Sequence, residues 1–190
     1  MPSIPVSFES LKQNYPRRPD LTPELKTFMD RLNAGIPDDK PKNTPCCVQV
    51  SHALNMAGQR VTQTYINEWR DSSPIRIAGT VYYYVLAVDE MEKYLSQRYG
   101  AGELLTMDKT VKPSQAEQFK AYLQGRQGIL VFRDGGAGFH TELWNGQNCE
   151  QSMANHGDIV QDACFGKPRV LFWDCGPPKW LTDYMNAQPP

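Results

Sequence analysis

Two segments of this chain hold the residue types for nucleophilic catalysis. The first reads Asn43-Thr44-Pro45-Cys46-Cys47-Val48-Gln49-Val50-Ser51-His52-Ala53-Leu54-Asn55 and ends at Gly58; the second reads Phe139-His140-Thr141-Glu142-Leu143-Trp144-Asn145-Gly146. Thr44 suits an N-cap and Pro45 the first helical position, which places Cys46 in the first turn of a helix. A thiol there feels the positive end of the helix dipole and ionises below its free value of about 8.5. A histidine brought from elsewhere in the chain then supplies the base.

Spacing separates the two adjacent cysteines. Cys47, Val50, Leu54 and Ala57 recur at helical intervals and form a stripe turned to a core, whereas Cys46 is rotated off that stripe by about 100°. Cys47 therefore reads as a small buried hydrophobe and Cys46 as the nucleophile. His52 sits too far along the same helix to serve Cys46 and reads as a satisfied or surface histidine, as does His156 in a polar loop. His140 is the expected base.

Asn145-Gly146 is a strong hairpin signal, and a two-residue turn there sets the register of the following strand, expected over Gln147 to Ser152. Trp144 then faces Gln147, Glu142 faces Cys149, Thr141 faces Glu150 and His140 faces Gln151. Opposite residues share a sheet face with Cβ atoms about 4.5–5.5 Å apart. Gln151 is accordingly expected to accept a hydrogen bond from one ring nitrogen of His140. A bulge would shift the register by one and put Glu150 in its place.

Several elements must hold these segments. Thr22-Pro23-Glu24 opens a helix to Asn33, and Val88 to Arg98 and Ser114 to Gln124 read as two more. Thr80 to Val85 has strand composition or leads straight into the helix at Val88. Leu104-Leu105 suggests a short strand, Gly128 to Phe132 a buried one, and Arg169 to Asp174 the last. Helices come first and a mostly antiparallel sheet follows, an α+β pattern. The chain, residues 1–190, reads as one domain with a less regular N-terminal arm (1–18) and a C-terminal tail (176–190).

A net charge of −1 gives no electrostatic footprint for nucleic acid. No run of about 18 apolar residues exists to span a membrane. The N-terminal residues lack a basic region followed by an apolar core, so no secretory signal is expected. Five cysteines leave one unpaired in any pairing. With no Cys-x-x-Cys pair, neither a metal nor a cofactor is expected.

These segments resemble the type VI secretion amidase effectors of the fourth family, peptidoglycan hydrolases with a papain-like, NlpC-type core. The resemblance lies in Asn43-Thr44-Pro45-Cys46 with Ser51 and Ala53-Leu54-Asn55. It continues in Tyr82-Tyr83-Tyr84 before Asp89-Glu90-Met91-Glu92-Lys93-Tyr94-Leu95, and in His140 with Leu143-Trp144-Asn145-Gly146 and Cys149. Two positions depart from the family: Gln49 stands where a basic residue is usual, and Gln151 where the third catalytic residue is an aspartate.

The resemblance implies a cysteine amidase that cuts the D-glutamyl–diaminopimelate bond of peptide stems. It implies secretion from a donor cytoplasm without a signal peptide, action in the target-cell periplasm, and a cognate immunity protein as partner. It further implies a disulfide in that oxidising compartment, expected between Cys149 and Cys164. Two alternatives stay open: deamidation, proteolysis or acyl transfer on a protein by the same site, and a non-catalytic binding module whose cysteines only form bridges.

Overall fold

The chain is represented by a computed structural model that describes residues 3–16, 22–33, 46–62, 75–110, 112–150 and 157–176. The elements run β1 (Ser3–Ile4), α1 (Phe8–Gln13), α2 (Pro23–Asn33), α3 (Cys46–Met56), β2 (Ile75–Ile77), β3 (Thr80–Tyr82) and α4 (Val88–Tyr99). They continue as β4 (Glu103–Leu104), α5 (Gln115–Leu123), β5 (Gly128–Asp134), β6 (Ala137–Trp144), α6 (Gly157–Phe165) and β7 (Arg169–Cys175). The main sheet has the order β1-β7-β5-β6, with β4 also paired to β7, and β2-β3 form a separate ribbon. Only β1 runs parallel to its neighbour, so the sheet is mostly antiparallel and the α+β reading holds.

Strand alternation divides the interior into two cores. Ile129 and Val131 of β5 and Leu171 and Trp173 of β7 join Val50 and Leu54 of α3 and Met91 and Leu95 of α4. Leu130, Phe132, Val170 and Phe172 point the other way, to Phe119 and Leu123 of α5 and Phe165 of α6. Helices therefore cover both faces of the central strands, which is why Gly128 to Phe132 is a continuous apolar run rather than an alternating one. The α5 start carries a full capping box, Ser114 with Glu117.

Two expectations need correction. Residues 3–16 of the N-terminal arm are regular: β1 pairs with the end of β7, Ser7 caps α1, and Ile4, Phe8, Leu11 and Tyr15 are buried in the first core. The hairpin beyond His140 is not a two-residue turn with a second strand. Asn145 Oδ1 accepts from the N–H groups of Gln147 (3.0 Å) and Asn148 (2.8 Å), and Gly146 takes φ +97°. The side chain thereby closes a wider turn, Trp144 bridges to Cys149 rather than Gln147, and Glu150 already turns helical. The strand that pairs with His140's own is β5, joined by Gly135-Gly136 between the partners Asp134 and Ala137. Two glycines in that position are themselves a hairpin signal.

Candidate active site

Helix α3 begins at Cys46; the capping positions Thr44 and Pro45 lie outside the described residues. Every residue from Cys46 to Asn55 is buried. The expectation that Cys46 turns away from the core is therefore corrected: Cys46 and Cys47 are equally buried, each 1% exposed. Packing from both the sheet and α1 encloses the helix all round, so an apolar stripe no longer marks one buried face.

Hydrogen bonding separates the pair instead. The two sulfurs lie 4.0 Å apart. A hydrogen bond to Cys46, then burial, pushes the Cys47 thiol well above its usual range, so Cys47 stays protonated and serves as a donor toward Cys46. Cys46 has in addition what its neighbour lacks, a hydrogen bond with the imidazole of His140.

His140 lies on β6, the outermost strand of its side of the sheet. Its Nε2 is 3.4 Å from Oε2 of Glu142, two residues along the same strand and 1% exposed. Alternation in a strand puts i and i+2 on one face, so the same backbone carries both groups. Burial by itself would lower the pKa of His140, but hydrogen bonds to Cys46 and Glu142 and their charges outweigh it and raise it to about 10. The site thus favours a protonated imidazole in contact with the Cys46 sulfur, the arrangement that activates a cysteine nucleophile. Glu142 is fixed in turn by the Leu143 N–H, which donates to Oε1 at 2.9 Å.

A bulge aims the histidine. Phe132 pairs with His140 while Arg133 pairs with Gly138, which leaves Phe139 as the extra residue of β6. Phe139 swings outward beneath Lys167, whose Nζ stands 3.8 Å from the ring centre. Phe132 backs the imidazole, with ring centres 6.2 Å apart and planes nearly parallel. Gly138 lets the start of α4 approach closely, since a Cβ there would fall 2.5 Å from Cβ of Val88.

Gln151 lies outside the described residues. Glu150 is 2% exposed, accepts from Asn145 Nδ2 at 3.0 Å and lies 3.6 Å from Lys12 Nζ. The bulge does occur on the histidine strand, but against β5, where it does not bring Glu150 forward. Glu142, two residues from His140 on one strand, is the carboxylate that the structure places beside the imidazole, a proximity that strand alternation alone signals. His52 is satisfied, as expected, by Tyr84 at 2.9 Å. Among the described residues no cluster of His, Cys, Asp and Glu could hold a metal ion. A cavity of about 280 Å³ lies elsewhere, between β4 and α5, and involves neither Cys46 nor His140.

Residues 42–173 match the family model described as type VI secretion system (T6SS), amidase effector protein 4, Tae4. The fold is similar to the effector Tae4 of Salmonella typhimurium, solved in complex with the immunity protein Tai4 of Enterobacter cloacae: 18% identity over 90% of this chain and 99% of that one, TM-score 0.59. It is also similar to Enterobacter cloacae Tae4 solved alone, at 19% identity over 93% of this chain and 100% of that one, TM-score 0.57. No curated protein matches by sequence.

Proposed function

This chain belongs to the Tae4 family of type VI secretion amidase effectors, and from that premise we propose that it is a cysteine amidase cleaving the D-glutamyl–diaminopimelate bond of peptidoglycan stems. The observation that carries the reading is the contact of Cys46 with His140, whose other neighbour is the buried carboxylate of Glu142.

The Cys46 thiolate attacks the amide carbonyl, and the C–N bond breaks as the His140 imidazolium gives its proton to the leaving amine. The thioester that remains is hydrolysed when neutral His140 takes a proton from water. Water adds to the acyl carbon, and the thiolate leaves to pair again with the imidazolium. The backbone N–H of Cys46, in the first turn of α3, serves as one donor to the oxyanion. Glu142 orients and stabilises the imidazolium; Gln151, expected to orient it as a neutral amide, lies outside the described residues. His140 is 21% exposed and Cys46 nearly closed off, so the scissile bond enters from the histidine side.

Membership of the family supports a setting in the target cell. The protein acts in the target-cell periplasm, and an immunity protein, the counterpart of the Tai4 solved in complex with the Salmonella and Enterobacter effectors, binds over the Cys46–His140 site. The test is digestion of purified sacculi followed by chromatography of the released fragments. New diaminopimelate amino termini, absent with Cys46→Ala, support the reading. Intact stems, with ammonia released from a protein substrate instead, overturn it. In cells, the periplasmic form should lyse a susceptible host and the cytosolic form should not; equal toxicity from both would point to an intracellular protein target.

A further inference from the structure

The segment ahead of the nucleophile helix is tied to it from inside the core. Gln49, one turn beyond Cys46 and fully buried, donates from Nε2 to the Pro16 carbonyl at 2.6 Å. The segment is held at a second point, where Lys12 reaches Glu150 just past the histidine strand. Between these ties Tyr15 is 6% exposed and packs in the core cluster that contains Cys46, Cys47 and Leu143. Its hydroxyl hydrogen-bonds the Glu142 carboxylate, and Cys46 and Cys149 are the other ionisable groups within its field.

The arrangement places Tyr15, Glu142, His140 and Cys46 in one line of polar contacts. A buried phenol requires a partner, and a buried carboxylate requires donors; here the phenol finds its partner in the carboxylate, whose Oε2 faces His140 at 3.4 Å with no hydrogen-bond partner of its own among the described residues. Burial, followed by the charge of Glu142, holds the phenol well above its ordinary pKa, so it remains a donor wherever the histidine is protonated.

We propose that Tyr15 is a positioning residue for the catalytic pair, locked by the Gln49–Pro16 hydrogen bond so that its hydroxyl fixes the Glu142 carboxylate against His140. The N-terminal segment is thereby part of the catalytic apparatus rather than a covering arm. The proposal rests on the assignment of Cys46 and His140 as nucleophile and acid–base.

The test is the pH profile of Cys46 alkylation by iodoacetamide, read by peptide mass mapping on the full chain, for Tyr15→Phe, Glu142→Gln and the double variant. Phenylalanine keeps the buried ring, and circular dichroism with a thermal midpoint reports that each variant is folded. With Tyr15→Phe, Glu142 loses a donor and is no longer held against His140. The acidic limb of the profile then moves up by about one pH unit, and kcat falls about tenfold with KM unchanged. Tyr15→Phe adds nothing further to Glu142→Gln, because both act through one carboxylate. Gln49→Met, which removes the lock, moves the limb in the same direction. A reactive Cys46 whose profile is unmoved by Tyr15→Phe overturns the proposal alone, as does an additive double variant. A wild-type Cys46 no more reactive than an unfolded thiol overturns the nucleophile assignment, and this proposal with it.

Discussion

His140 and Glu142 stand two residues apart on β6 and meet Nε2 to Oε2 at 3.4 Å. A strand needs no further element to make this pair, only the alternation of its side chains. The neighbouring bulge at Phe139 then sets which way both groups face. The carboxylate and the imidazole are thus positioned together by backbone pairing with β5, while Cys46 arrives from a helix far away in sequence.

Replacing the carboxylate tests that unit. Glu142→Gln keeps the shape and removes the charge, so the imidazolium loses a partner and the basic limb of activity drops below its expected position near pH 10. The kcat falls by about 10–100-fold. Gln151→Leu, made in parallel, distinguishes the two candidates: a larger loss there than at Glu142, with the pH limb unmoved by Glu142→Gln, would return the third role to Gln151.

The adjacent cysteines are equally buried, and substitution is what distinguishes them. Cys46→Ala abolishes amidase activity while costing about 1–2 kcal/mol, since the lost sulfur is buried. Cys47→Ser leaves the enzyme active but less stable, by about 1–3 kcal/mol, because it buries a hydroxyl among apolar neighbours. Activity assays and urea unfolding read both; an inactive Cys47→Ser with an active Cys46→Ala reverses the assignment.

Protonated His140 contributes to stability over a definite pH range. Its folded pKa, about 10, exceeds the unfolded value of 6.5. The native state therefore holds the extra proton between these values, and the contribution is complete below pH 6.5 and lost as the pH rises to about 10. The stability advantage of wild type over His140→Asn, measured by urea unfolding, is expected to shrink across that range. A constant difference would contradict the raised pKa.

Cys149 and Cys164 are free thiols in this structure, and burial raises the pKa of each. Both pack in the second core, and Gln161, three residues before Cys164 on α6, accepts from the Cys149 N–H at 2.8 Å. Cys175 belongs to the first core, on the other side of the sheet. Oxidation in the periplasm is expected to join Cys149 to Cys164, as mapping of non-reduced peptides would show; a bridge from Cys175 to either would exclude this pairing.

Local patterns made much of this protein legible. The helix opening at Thr22-Pro23-Glu24, the helical pattern from Ser114 to Gln124 and the apolar run at β5 each depend on near neighbours, and α2, α5 and β5 formed where those neighbours required. Cys46 and His140 were legible for the same reason: a thiol at a helix start and a histidine in a strand are recognisable one segment at a time. The register beyond Asn145 was not, because a side chain captured two backbone N–H groups and widened the turn, a competition that dipeptide identity does not resolve. Nor was the burial of Cys46, which depends on α1 closing over α3, or the place of Tyr15, whose partner lies at the other end of the chain. Such contacts join residues distant in sequence, and only tertiary packing brings a phenol, a carboxylate, an imidazole and a thiol into one line.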